Sequence, residues 1–246
     1  MEQTIRISSN FQYGIKQLET FLVNNRNQLL ERMKNSELMS FEKRRGSMII
    51  DVVTSRQRKY LARVVPLVNN WENYAGGTSI QHLIKSGCPT KLFGLRNGEE
   101  QTILTIAHNF LDYGKQRGIS DEDKLCVQWS REVEGMRFAY DLDPIVGGVK
   151  GIGLALFSYM RMLSNSDALK PDVRIKAKLM ELGFKVPKSD ISVLFLCEAI
   201  AEDLKLSLLE LDQLLWFDYG SNFVDKGEGL LFLTPESNTW KTIDKL

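Results

Sequence analysis

The stretch Val146-Gly147-Gly148-Val149-Lys150-Gly151-Ile152-Gly153-Leu154-Ala155-Leu156-Phe157-Ser158-Tyr159-Met160-Arg161-Met162-Leu163 decides how this chain reads. Gly151 and Gly153 alternate around one apolar residue and open directly into a strongly apolar segment, 154–163, of helical length. Glycine at alternate positions frees the backbone for a tight turn and for close approach by a ligand. The helix that follows offers unpaired N–H groups and the positive end of its dipole, so a phosphate is the natural guest. The same turn also serves as a plain connection between packed helices, and the residues alone leave both roles open.

Outward from the turn the dominant period is helical. Ile15, Leu18, Phe21, Leu22, Leu29, Leu30 and Met33 predict an amphipathic helix over 14–35. Met48 to Val53 is apolar and β-branched, so strand stays open there. Tyr60 to Val68 starts as helix and is expected to kink or end near Pro66, with a loop over 73–79. Short helix follows at 80–84, then helix from Glu99 to Tyr113, a polar loop over 114–123, and helices over 172–183 and 191–216. The tail beyond Gly220 reads as an edge strand or packed coil. The fold class expected is mostly α, in two helical lobes with a cleft between them.

Composition sets limits. The 246 residues are 43% apolar with a net charge of +1, which excludes intrinsic disorder. No apolar run reaches the length of a membrane span, and no secretory signal is seen after Met1. Cys88, Cys126 and Cys197 are odd in number and far apart, as suits a reducing compartment, so a cytoplasmic location is expected. With 32 basic and 31 acidic residues, nucleic-acid binding requires the charge to be segregated on one face. His82 and His108 lack partners at metal-ligand spacing, so no metal and no cofactor is expected.

No GxGxxG follows a convincing strand and no GKS or GKT occurs, so dinucleotide and Walker loops are excluded. A helix-hairpin-helix remains, a glycine turn that grips a DNA backbone phosphate without reading sequence. Lys150-Gly151-Ile152-Gly153-Leu154 followed by Lys170-Pro171-Asp172-Val173-Arg174-Ile175 resembles the signature of the helix-hairpin-helix-GPD superfamily of DNA glycosylases. Asp172 stands 19 residues after Gly153, at the place of the family's active-site aspartate. Val52-Val53-Thr54-Ser55-Arg56-Gln57 resembles the helix end whose glutamine faces DNA, and Leu92-Phe93-Gly94-Leu95-Arg96 resembles a further family segment. The resemblance covers roughly residues 45–216.

The resemblance implies a lobe over residues 46–160 ending in the hairpin, and a second lobe of 1–45 plus 161–246 carrying the aspartate loop. It implies Asp172 as the catalytic residue, and Lys150, Gly151, Ile152, Gly153, Gln57 and Arg174 as contacts to double-stranded DNA with a damaged or modified base. The activity implied is hydrolysis of an N-glycosidic bond, in base-excision repair or in attack on modified foreign DNA, by a monomer. Members that also cleave the strand carry a lysine where Ala155 stands here, so lyase activity is not expected. With three cysteines in the chain and only Cys197 beyond residue 126, the four-cysteine C-terminal iron–sulfur cluster of other members is ruled out. Residues 114–145 read as an insertion.

Simpler roles exist for the same residues. Asp172 after Lys170-Pro171 is a good N-cap for a helix over 173–182, and one aspartate can fill both roles. Lys43-Arg44-Arg45, Arg56, Arg58 and Lys59 suit a solvated face as well as a phosphate track. Trp129, Tyr159 and Trp216 are either base-stacking or core residues. The alternative function is a non-catalytic helix-hairpin-helix DNA-binding protein.

Overall fold

The structure is a computed structural model that describes residues 9–34 and 41–221, the side chains of 26–34 and 217–221 excepted. The protein is mostly α, and among the described residues every regular element is helical. In chain order the helices are α1 (Ser9–Lys34), α2 (Arg45–Thr54), α3 (Val65–Ala75), α4 (Ile80–Ser86), α5 (Thr90–Phe93), α6 (Glu99–Arg117), α7 (Glu122–Glu132), α8 (Leu154–Leu163), α9 (Val173–Glu181), α10 (Asp190–Leu204) and α11 (Leu208–Ser221). A π-helical turn, Tyr60–Val64, leads into α3, and two 3-10 turns lie between α7 and α8. The tail expected to form an edge strand or coil lies outside the described residues. No described helix is long and apolar enough to cross a membrane.

The chain divides into two compact units, Phe41–Ser166, and Met1–Ser40 with Asp167–Leu246. From sequence the corresponding boundaries fall at 46 and 160.

In the unit over residues 41–166, α2 packs against α3, α4, α6 and α8. All ten of its residues are buried. A helix buried on every side carries no amphipathic period, which is why Met48 to Val53 leaves strand open on propensity; tertiary burial decides for helix. Gly46 permits this packing. Its N–H and that of Ser47 donate to the Thr78 carbonyl at 2.8 and 3.3 Å, and a Cβ at position 46 would run into the Thr78 and Ser79 carbonyls. Pro66 sits in the first turn of α3, where a missing N–H is tolerated, and the helical backbone that starts at Tyr60 changes from a π-turn to α-helix immediately before it.

Asp51 lies inside α2, 1% exposed, and accepts hydrogen bonds from Tyr60 Oη at 2.7 Å and Tyr159 Oη at 2.9 Å. Burial, then the adjacent carboxylate, holds both phenols far above their ordinary pKa, so both remain donors. Tyr159 is therefore a core residue and not a stacking platform.

Residues 114–145, which read as an insertion from sequence, contribute helices and core residues to this unit. Residues 114–117 continue α6 rather than starting a loop, and Gly118 ends it in the left-handed conformation. The Asp121 carboxylate caps α7 through the N–H groups of Asp123 and Lys124. Trp129 is 1% exposed and meets Phe110 and Phe157 edge-on at 5.3 and 5.9 Å. It too belongs to the core.

The other unit closes around Leu18 of α1, Ile175 and Leu179 of α9, Val193 and Ile200 of α10 and Leu211 of α11, all fully buried. Cys197 lies in this cluster, and all three cysteines are buried free thiols.

Candidate functional site at two helix starts

The hairpin is built from Asp143 upward. Its carboxylate is 1% exposed; Oδ2 accepts from Val146 N at 2.8 Å and Gly147 N at 2.9 Å, and Oδ1 from Ile145 N and the Trp129 indole. The segment it organises, 143–151, is a series of turns, so only the second partner of the expected helix pair, α8, is an α-helix. A Cβ on Gly147 would collide with the Tyr140 carbonyl, which makes that glycine a packing requirement. Gly151 has φ of 97° and is required by conformation, and Thr102 Oγ1 holds the turn by donating to the Lys150 carbonyl at 2.8 Å. Ile152 is buried as an anchor, whereas Lys150 and Gly151 are exposed.

Gly153 differs from the other three glycines. It is the N-cap of α8 with extended backbone, and a Cβ there would meet nothing within 4 Å. Among the described residues no contact asks for glycine at this position. The helix it opens has no capping side chain and no acidic residue in its first turn. Its orphan N–H groups and dipole are left for solvent or an anion.

Asp172 opens α9. Its Oδ1 accepts from Arg174 N at 2.8 Å and Ile175 N at 3.2 Å, so the N-cap role expected from sequence is present. Its Oδ2 faces the Lys170 ammonium at 3.9 Å, and the carboxylate is half-buried. The loop before it is anchored on α11: Leu209 N donates to Asp167 Oδ1 at 2.9 Å and Lys170 N to Asp212 Oδ1 at 3.0 Å. Arg174 lays its guanidinium over the Trp216 ring, 4.4 Å from the centroid.

Lys150, Gly151, Ile152, Gly153 and Gln57 belong to one unit, and Asp172 and Arg174 to the other. Gln57 is exposed with φ of 52°, an uncommon conformation for a side-chain-bearing residue. Arg96 holds it there by donating to the Arg56 and Gln57 carbonyls at 2.8 and 3.0 Å. Several basic residues are consumed by the fold. Arg44 pairs with Glu72 at 2.6 Å, Arg45 with Asp123 at 2.6 Å, and Arg58 grips both oxygens of Glu99 at 2.7 Å. Arg56 and Lys59 remain exposed.

Sequence reasoning missed the buried carboxylates Asp51, Asp143 and Asp212. It also missed a cavity of about 490 Å³ whose walls include Arg58, Arg63, Asn70 and the edge-on pair Tyr74 and Phe93. Asp143-Pro144 was the one available signal, since Asp-Pro favours turn initiation. Among the described residues no group of three His, Cys, Asp or Glu side chains is arranged to hold a metal ion.

No family model, no curated protein and no solved structure matches this chain.

Proposed function

We propose that the protein is a monofunctional DNA glycosylase that hydrolyses the N-glycosidic bond of a damaged or modified base and leaves an abasic site. The observation that carries this reading is the pairing of an exposed glycine hairpin, opening an uncapped helix, with an aspartate 19 residues further on whose Oδ2 is not used by its helix cap. The hairpin takes a backbone phosphate on the N–H groups around Gly153, and Lys150 adds charge. The target base leaves the duplex stack before it reacts.

Bond scission develops positive charge at the sugar C1′, as in sugar hydrolysis. Asp172 Oδ2 stabilises that charge and takes a proton from the attacking water; the base departs with the bonding electron pair and is protonated. The carboxylate is held by two backbone N–H groups and so is pre-oriented. Ala155 supplies no amine for a Schiff base, hence hydrolysis without strand cleavage.

The test is release of free base from duplexes carrying a panel of damaged and modified bases, with strand breaks appearing only after hot alkali. A second reading, a DNA-binding module without catalysis, is favoured by one observation: the cap bonds account for Asp172 without chemistry. Binding without base release on any duplex would select it.

A further inference from the structure

We propose that Asp212 is a positioning residue for Asp172: from inside α11 it holds the backbone of Lys170, and so fixes where the Asp172 carboxylate and the Lys170 ammonium stand. The proposal deepens the glycosylase reading and rests on Asp172 being its catalytic group.

Asp212 is 2% exposed, between Leu211 and Leu214, which are 0% and 1% exposed. A carboxyl at such a place costs the fold free energy unless it is hydrogen-bonded, and apolar residues would pack the helix as well. Glu210, two residues before it, serves the start of the helix. Glu210 closes a reciprocal cap with Ser207, accepting from Ser207 N at 2.7 Å while its own N–H donates to Ser207 Oγ at 3.1 Å. Asp212 instead reaches another segment. Its Oδ1 accepts from Lys170 N at 3.0 Å, and its Oδ2 is approached by Gln213 Nε2 at 3.4 Å. Two residues on, Asp172 N donates to the Lys170 carbonyl at 2.7 Å, so the residue whose N–H Asp212 grips is hydrogen-bonded through its carbonyl to the aspartate. The chain from Asp212 to the cap of α9 is thus continuous.

The electrostatics fit a neutral anchor. Burial pushes the Asp212 carboxyl up to about 8, and Asp172 adds to the rise, while the Lys170 N–H and ammonium oppose it. Cys197 of α10 is likewise pushed up, first by burial and then by Asp212. Near neutral pH Asp212 is mostly protonated, so it holds the loop without adding a second negative charge beside Asp172.

The experiment compares Asp212→Asn, which keeps the acceptor oxygen, with Asp212→Leu, which removes it at similar volume; Asp212→Ala replaces the latter if Leu prevents folding. Two readouts are taken on the full chain: single-turnover base release with DNA affinity, and hydrogen exchange over residues 170–174. The Asn variant should keep the rate within about threefold. The Leu variant should lose about 10²-fold in rate at unchanged affinity, through misplacement of the reacting group. Its Lys170 amide should exchange about tenfold faster, the equivalent of one net hydrogen bond. Wild-type rate and exchange in the Leu variant would overturn the proposal, as would an Asn variant as slow as Leu. If the wild-type protein releases no base from any duplex, the glycosylase reading fails. Exchange then judges the anchor alone: protection lost in Leu and kept in Asn supports it, and equal protection refutes it.

Discussion

Two helices start 19 residues apart in this chain, and they start in opposite ways. α8 opens at Gly153 with no cap, no acid in its first turn and open space where a side chain would stand. α9 opens at Asp172, whose Oδ1 accepts from Arg174 N and Ile175 N, whereas at the matching places in α8 only Leu156 N is bonded, to the Gly153 carbonyl at 3.0 Å, and no side chain caps Ala155 N; the loop before α9 is tied to α11 at Asp167 and Lys170. A helix end that satisfies itself has no need of a ligand; one left open is stabilised by an anion supplied from outside. The first start is suited to receiving negative charge and the second to presenting it. The proposed glycosylase reading assigns the first to a backbone phosphate and the second to the sugar.

The largest expected effect sharpens the second start. Asp212 takes up its proton more readily in the folded chain than unfolded, where its pKa is about 3.8, against about 8 when buried. The native state therefore binds more protons between these values, and stability falls as pH rises from about 4 to about 8, by up to about 5 kcal/mol. Below both values the contribution is complete, and above the upper one it is lost. Urea denaturation of Asp212→Asn against wild type across this range should show the wild type declining relative to the variant; parallel curves would contradict the buried-acid assignment.

Next comes Asp172→Asn. Asparagine caps helices as well as aspartate, so stability should stay within about 0.5 kcal/mol, while base release falls about 10³-fold. Asp172→Ala should add the loss of the cap, about 1 kcal/mol in the denaturation midpoint. Equal activity in Asn and wild type would reduce Asp172 to a cap.

The glycines separate packing from binding. Gly147→Ala, driven into the Tyr140 carbonyl, should cost about 2–3 kcal/mol of stability. Gly153→Val should cost at most about 1 kcal/mol, an N-cap preference, yet weaken binding to all DNA sequences similarly, about tenfold. Smallest is the Lys150→Ala effect: the slope of log K against log[salt] should become shallower by about 0.9, the share of one phosphate contact.

Much of the helical frame was legible, because amphipathic helices write their period into the sequence. The segment 154–163 is helical at the residues expected, and the N-cap role of Asp172 was readable from Lys170-Pro171-Asp172. What was illegible depended on tertiary burial. Met48 to Val53 has no period because every face of α2 is covered. Pro66 signals a break in a helix and equally a start, and only the preceding π-turn decides between them. Asp51, Asp143 and Asp212 look like any surface aspartate until the fold places them inside, 42 and 108 residues from a partner in the cases of Asp212–Lys170 and Asp51–Tyr159. In the sequence Arg45 belongs to a run suited to a solvated face or a phosphate track, but in the fold it is 4% exposed and spent on Asp123 and the Leu163 carbonyl.

The contrast between the two starts is tested most directly by measuring, on one substrate duplex, both DNA affinity and single-turnover base release at saturating protein for Gly153→Val and Asp172→Asn. A crossed pattern is predicted: Gly153→Val loses affinity and keeps its saturated rate, and Asp172→Asn keeps affinity and loses its rate. If both variants lose the same quantity, or if Gly153→Val binds DNA as wild type does, the two helix starts do not divide grip and chemistry between them.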